Sequence, residues 1–130
     1  MPGAEKRNAL SLTVAHAAVE ALRSAFSPSF LEERDLPTGY EAFLLTTLSP
    51  LEAKRHAVEL EESHPLGRLF DVDVFARDND GPISRTVINC APRRCLLCEE
   101  EARLCMRRHT HSHEELMARI REMVEEWEKG

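Results

Sequence analysis

Lysine is scarce in this 130-residue chain: Lys6, Lys54 and Lys129 are the only three, against fourteen arginines. No apolar run approaches the ~20 residues that a helical membrane span needs. No internal repeat and no low-complexity tract is present. A secretory leader is missing as well, because Met1-Pro2-Gly3-Ala4-Glu5-Lys6-Arg7 leads into an amphipathic stretch rather than an apolar one. A cytoplasmic protein is therefore expected. Positive charge is also in deficit: seventeen bases against twenty-three acids give a formal charge of −6. That balance argues against bulk nucleic-acid binding, which wants a basic surface.

What is present suits a globular protein. Apolar residues make up 42% and charged residues 31%, enough Leu, Val and Ile to build a core. The length fits one domain, residues 1–130. Six arginines and no lysine fall between residues 85 and 108. Arginine forks grip phosphate and carboxylate oxygens in a bidentate way that lysine does not match, although GC-rich coding produces the same bias. All four cysteines lie within residues 90–105. Without a leader, such clustering reads as free thiols or metal ligands before disulfides.

Strands and helices are mixed along the chain. Leu10, Val14, Ala17, Ala18, Ala21, Leu22 and Ala25 form a helical stripe over residues 8–26, which Ser27-Pro28 ends. Residues 28–39 read as a loop, and Tyr40 to Thr46 as a buried strand. Ser49-Pro50-Leu51-Glu52 is a helix start, with Ser as cap and Pro at the first helical position, and the helix runs to about Glu62. Leu69 to Phe75 reads as a strand, Asp78-Asn79-Asp80-Gly81 as a turn, and Ile83 to Ile88 as the return strand of a hairpin. Residues 89–98 look irregular and 99–108 form a short helix. Ser112-His113-Glu114-Glu115 is a capping box that opens a helix with Leu116, Ile120, Met123 and Trp127 on one face. The expected class is α+β, a small mixed or antiparallel sheet with flanking helices.

Asp71 and Asp73 are the most informative pair. In a strand, residues two apart point to the same side, so Phe70, Val72 and Val74 face the core and the two carboxylates stand together. Adjacent like charges repel, and a hard divalent cation such as Mg²⁺ compensates them. A wet outer face fits the same spacing. Gly67-Arg68 just before the strand and Ser84-Arg85 on its expected return put guanidiniums on both sides. That surrounds a metal–phosphate site, and it equally describes a salt-bridge ladder.

Cys95 and Cys98 form a C-x2-C knuckle, Cys105 follows, and His109, His111 and His113 lie just beyond. Three thiols and one imidazole are a tetrahedral zinc set, here Cys95, Cys98, Cys105 and His111, with Cys90 as a spare. Buried thiols beside surface histidines are the alternative. Arg93 and Arg94, with Arg107 and Arg108, form either an anion-binding patch or a face balanced by Glu99, Glu100 and Glu101.

Several ordered segments together resemble one family. They are Met1-Pro2-Gly3; Ala53-Lys54-Arg55 with Glu59; Glu62-Ser63-His64-Pro65-Leu66-Gly67-Arg68-Leu69-Phe70-Asp71-Val72-Asp73-Val74; Ser84-Arg85; Pro92-Arg93-Arg94-Cys95-Leu96-Leu97-Cys98; and Cys105 followed by His111-Ser112 and Glu115-Leu116. The set resembles apo-citrate lyase phosphoribosyl-dephospho-CoA transferase, also called citrate lyase holo-acyl-carrier-protein synthase. The resemblance implies a nucleotidyltransferase-like fold and a leading family segment ahead of Pro2-Gly3 that this chain lacks. It implies 2′-(5″-triphosphoribosyl)-3′-dephospho-CoA as donor, a serine of the citrate lyase acyl carrier subunit as acceptor, and pyrophosphate as leaving group. Asp71 and Asp73 would hold Mg²⁺. Gly67, Arg68, Arg85, Arg93 and Arg94 would bind donor phosphates, and His64 or an aspartate would take the serine proton. The Gly-Ser helix start of many nucleotidyltransferases and a third carboxylate are not evident. Two rival readings remain: a non-catalytic relative that binds the carrier protein, and a zinc-stabilised module. No nucleic acid and no membrane is expected as a partner.

Overall fold

A computed structural model describes residues 9–77 and 81–130. It has four helices and one antiparallel pair of strands, the α+β class that the sequence predicts. The alanine-rich stripe forms α1 (Ala9–Phe26), which buries Val14, Ala17, Val19 and Phe26. It stops at Ser27, whose φ of 43° lies in the left-handed region and precedes Pro28.

Residues 28–39 are not a loop. They contain β1 (Phe30–Leu36), which pairs in antiparallel register with β2 (Gly39–Leu45), from Phe30 opposite Leu45 to Leu36 opposite Gly39. The charges of Glu32, Glu33, Arg34 and Asp35 mask this strand, because both faces of the hairpin meet solvent over much of its length. Its stabilising contacts are cross-strand ones: Arg34 lies 5.2 Å from the ring centre of Phe43, and the Tyr40 hydroxyl donates to Glu33 at 2.5 Å. That bond, with burial adding to it, raises the Tyr40 pKa. The β2 strand is correspondingly less buried than predicted, with Phe43 51% and Leu45 58% exposed.

The expected cap opens α2 (Pro50–Ser63), where the Ser49 side chain accepts the Glu52 N–H. A 3-10 turn follows at Gly67–Leu69. The segment from 71 to 76 has the predicted alternation but joins no sheet: Asp71, Asp73 and Phe75 are exposed while Val72 and Val74 are half-buried. The expected return strand is instead a 3-10 turn, Arg85–Ile88, closed by Asn89 at φ 59°. One hairpin-like bond survives, from the Ile83 N–H to the Val74 carbonyl at 2.9 Å. The physical reason is Arg85, which reaches back to α2 rather than across a ladder. Residues Asp78, Asn79 and Asp80 of the predicted turn lie outside the described residues.

Two helices complete the chain, the short α3 (Ala102–Arg108) and the longer α4 (His113–Lys129). The capping box at Ser112 forms as predicted, with both of its reciprocal bonds to Glu115. The main core joins Val14 and Ala17 of α1, Leu66, Leu69 and Phe70, and Ile120, Met123 and Val124 of α4. A second cluster of Phe26, Ala53 and Ala57 receives Val72 and Val74 from the aspartate segment. None of the described helices is long and apolar enough to cross a membrane.

Candidate functional site

The carboxylates of Asp71 and Asp73 project on one exposed side of their segment, because Phe70, Val72 and Val74 anchor the other side in the core. Among the described residues no cation pairs with either. Arg68 lies three residues before Asp71, hence within ~11 Å along the chain. Its guanidinium is fastened to backbone rather than to an acid: Nη2 donates to the Cys95 carbonyl at 2.5 Å and to that of Arg94 at 3.3 Å. Arg93 answers reciprocally, donating to the Arg68 carbonyl at 2.7 Å. Both guanidiniums are thus positioned by neutral carbonyls, and among the described residues neither has a carboxylate partner. Arg94 differs, since it donates to the Glu99 carbonyl at 2.7 Å and lies 3.7 Å from the Glu99 carboxylate.

Arg85 is placed elsewhere. Its side chain is 9% exposed and makes 2.7 Å bonds to Glu61, itself 4% exposed, and to Glu62. Burial works against its charge, but the two carboxylates more than offset that and raise its pKa. The other oxygen of Glu61 accepts the N–H of Val72 at 3.4 Å, the amide between the two aspartates. Arg85 therefore acts on the aspartate segment through Glu61. The sequence alone gives neither Glu61 nor Glu62 a role at the site. The available signal was Ala53, Ala57 and Glu61 at steps of four, an acid on a buried helical stripe that calls for a cation.

Gly67 is buried where the end of α2 and the 3-10 turn meet. A Cβ there would stand 2.4 Å from the Leu60 carbonyl oxygen and 2.5 Å from that of Glu61, so close backbone approach accounts for this glycine. His64 caps α2. Its Nδ1 accepts the Leu66 N–H at 3.0 Å, and its ring lies 4.9 Å from those of both Phe70 and Trp127. Burial lowers its pKa, favouring the neutral ring with its proton on Nε2.

The structure brings together Cys95, Cys98, Cys105 and His111, the expected set. Their ligand atoms all lie within 4.8 Å of one another. Cys98 Sγ is 3.4 Å from both Cys105 Sγ and His111 Nε2. Cys95 and Cys105 are buried, and all the thiols are free. Burial, together with hydrogen bonding to Cys98 and Cys95, pushes the Cys105 thiol up to about 11. At Cys95 burial acts upward too, but the Leu97 N–H and the other thiols outweigh it and lower the pKa. Cys90 stands apart, with its Sγ 3.9 Å from the Ile88 carbonyl. Of the three neighbouring histidines, His109 sits at the left-handed end of α3 and His113 opens α4, both exposed.

Chemically, exposed carboxylates without a described cation partner, three residues from a carbonyl-held guanidinium, are a donor set that a hard cation could use. Comparison with known sequences is more specific. The family described as apo-citrate lyase phosphoribosyl-dephospho-CoA transferase matches residues 1–127, and the chain belongs to it. A probable enzyme of that name from Vibrio cholerae is 40% identical over 137 residues, covering 98% of this chain and 74% of its own length. One from Streptococcus pyogenes is 37% identical over 129 residues, covering 95% of this chain and 67% of its own. The Haemophilus influenzae protein named Protein CitXG is 38% identical over 129 residues, which make up 27% of its length.

Proposed function

We propose that this chain transfers the phosphoribosyl-dephospho-CoA group to apo-citrate lyase. In full, the donor is 2′-(5″-triphosphoribosyl)-3′-dephospho-CoA and the acceptor a serine of the acyl carrier subunit. The serine oxygen forms a bond to the α-phosphorus, the bond from that phosphorus to pyrophosphate breaks, and the serine proton passes to a base. This is nucleotidyl transfer, in which alignment and charge neutralisation matter more than covalent help from the protein. Family membership supports the reading.

The residues take distinct parts. Asp71 and Asp73 offer an all-oxygen, same-side, unpaired donor set, which fits Mg²⁺. Bound there, Mg²⁺ would neutralise charge on the phosphoryl oxygens. Arg68 and Arg93 hold donor phosphates, with Arg94 at the margin because Glu99 competes for it. Arg85 contributes by holding Glu61 under Val72. An aspartate suits proton acceptance better than His64, whose Nδ1 is already occupied. The soft thiol–imidazole set suits zinc rather than Mg²⁺.

The observation carrying this reading is a pair of exposed aspartates with no described cation partner, three residues beyond Arg68, which like the Arg93 bonded to its carbonyl has no described acid partner. The test is a mass-shift assay with apo-carrier subunit, donor and Mg²⁺. The Asp71→Asn variant should lose at least ~100-fold in transfer, about 3 kcal/mol at the barrier. Its melting temperature should stay within about 2 °C, because no described partner is lost. Unchanged transfer in the variant removes the proposed role of Asp71. A chain that binds the carrier without shifting its mass is a binding module instead.

A further inference from the structure

The transfer as proposed uses none of the cysteine–histidine cluster, yet the cluster adjoins the arginines assigned to the donor phosphates. Its geometry suits a closed metal site. A tetrahedral zinc ion ~2.3 Å from each thiolate spaces sulfurs roughly 3.8 Å apart. The cluster has 3.4 Å between Cys98 and Cys105, and no ligand pair beyond 4.8 Å. Four protein ligands leave no open position for substrate, which is the pattern of a structural rather than a catalytic ion. The surrounding backbone already holds the knuckle's shape. The Leu97 N–H points to Cys95 Sγ at 3.5 Å, the Cys95 N–H donates to the Glu100 carbonyl at 2.7 Å, and the Ala102 N–H donates to the Arg93 carbonyl at 2.8 Å.

The knuckle also reaches outward. Cys95 supplies a thiol to the cluster and, through its carbonyl, the nearest anchor of Arg68. Arg93 and Arg94 immediately precede it, and Arg93 closes the strap onto the Arg68 carbonyl. We infer that the cluster binds one zinc ion as a structural clip, and that this clip fixes Arg68 and Arg93 as a paired anion grip. The ion ties the knuckle to Cys105 of α3 and to His111 just before α4. Without it, the limb carrying the Arg68 acceptors keeps its backbone bonds, its arginine contacts and the packing of Leu96 but loses its tie to Cys105 and His111, and the two like-charged guanidiniums are held less firmly. The second half of the inference rests on the reading that these arginines face donor phosphates. The first half does not.

The test separates the two. Protein expressed with added zinc should carry about one zinc per chain by native mass spectrometry. His111→Ala and Cys98→Ser should lose it, and His111→Cys, which restores a four-ligand thiol set, should keep it. Inorganic pyrophosphate is the probe for the grip, titrated calorimetrically. Its affinity should fall about tenfold on chelation or in Cys98→Ser, and return on zinc addition to the chelated protein and in His111→Cys. Should Cys98→Ser fail to fold, chelated unsubstituted protein supplies the comparison. Zinc well below stoichiometric, with no rise in melting temperature on adding zinc, overturns the clip. Equal pyrophosphate affinity with and without the ion overturns its link to the arginines. Zinc-dependent pyrophosphate binding in a chain that transfers nothing supports the clip and its link to the arginines while removing the transferase reading.

Discussion

Replacing Gly67 by alanine distinguishes a glycine that admits a ligand from one that admits its own backbone. The added Cβ would lie 2.4 Å from the Leu60 carbonyl oxygen, 2.5 Å from that of Glu61 and 2.8 Å from the Glu61 carbonyl carbon. All three are backbone atoms, so no side chain can swing away, and the turn must move by about 1 Å to restore ordinary contact. The Leu60 carbonyl also accepts the His64 N–H at 3.0 Å, and the Gly67 N–H donates to the His64 carbonyl at 2.8 Å. The displacement therefore strains the end of α2 as well. Overpacking of this kind costs about 3 kcal/mol. A stiffer unfolded chain returns about 0.5–1 kcal/mol, leaving a net loss of about 2 kcal/mol. At roughly 2.1 cal/mol/K per residue, a chain of 130 residues loses about 7 °C in melting temperature. Circular dichroism on heating measures this, with Gly81→Ala as control because a Cβ there meets nothing within 4 Å. A Gly67→Ala protein that melts with its parent but fails to transfer would refute the packing argument and return Gly67 to the substrate.

Two further outcomes follow from the same geometry. Arg85→Met leaves the buried Glu61 carboxylate without its cation and should cost about 3–5 kcal/mol, whereas adding Glu61→Gln should recover most of it; urea unfolding checks both, and a loss under about 1 kcal/mol would mean the pair is not structural. His64 makes stability depend on pH in one direction. Burial holds its pKa in the fold below the ordinary 6.5, so the unfolded chain binds more protons between the two values. Stability from this residue is full above about 6.5, falls as pH drops through that window, and levels off below the folded value. Comparing melting temperatures of the parent and His64→Phe from about pH 8 to 5 tests this, and identical slopes would exclude His64 as the cause.

The parts legible in the sequence are those whose physics is local. Ser49-Pro50 and the Ser112 capping box announce helix starts because the bonds they make span three residues. The stripe ending at Trp127 also reads correctly as one helix face, although Trp127 itself rests on the edge of the core against His64. The convergence of Cys95, Cys98, Cys105 and His111 is readable from spacing, since a C-x2-C knuckle constrains its own loop. Choosing His111 over His109 and His113 matches the structure, and His111 is the one of the three that is half-buried. The β1 strand was hidden because its charges serve an exposed hairpin, and alternation is informative only where one face is buried.

The aspartate segment shows where local reading stops and why the two carboxylates nonetheless share one side. Alternation from 70 to 75 correctly set both carboxylates on one side, because that follows from backbone geometry alone. Pairing is a different matter, since it depends on what lies beside the segment. Arg85 was expected to flank the aspartates from a return strand and instead turns to Glu61 and Glu62 on α2. That buried ion pair is a nonlocal bond between residues 24 apart, and nothing near Arg85 in sequence announces it. Yet the result serves the same end by another route. Glu61 holds the amide of Val72, Val72 and Val74 pack on the Ala53–Ala57 face, and Phe70 is sealed in the main core. Anchors on the inward side at Phe70, Val72 and Val74 leave Asp71 and Asp73 little freedom except to face outward together. A segment fixed by its buried side chains and one carboxylate can thus present two acids as a strand would, while its outward edge remains open to a ligand.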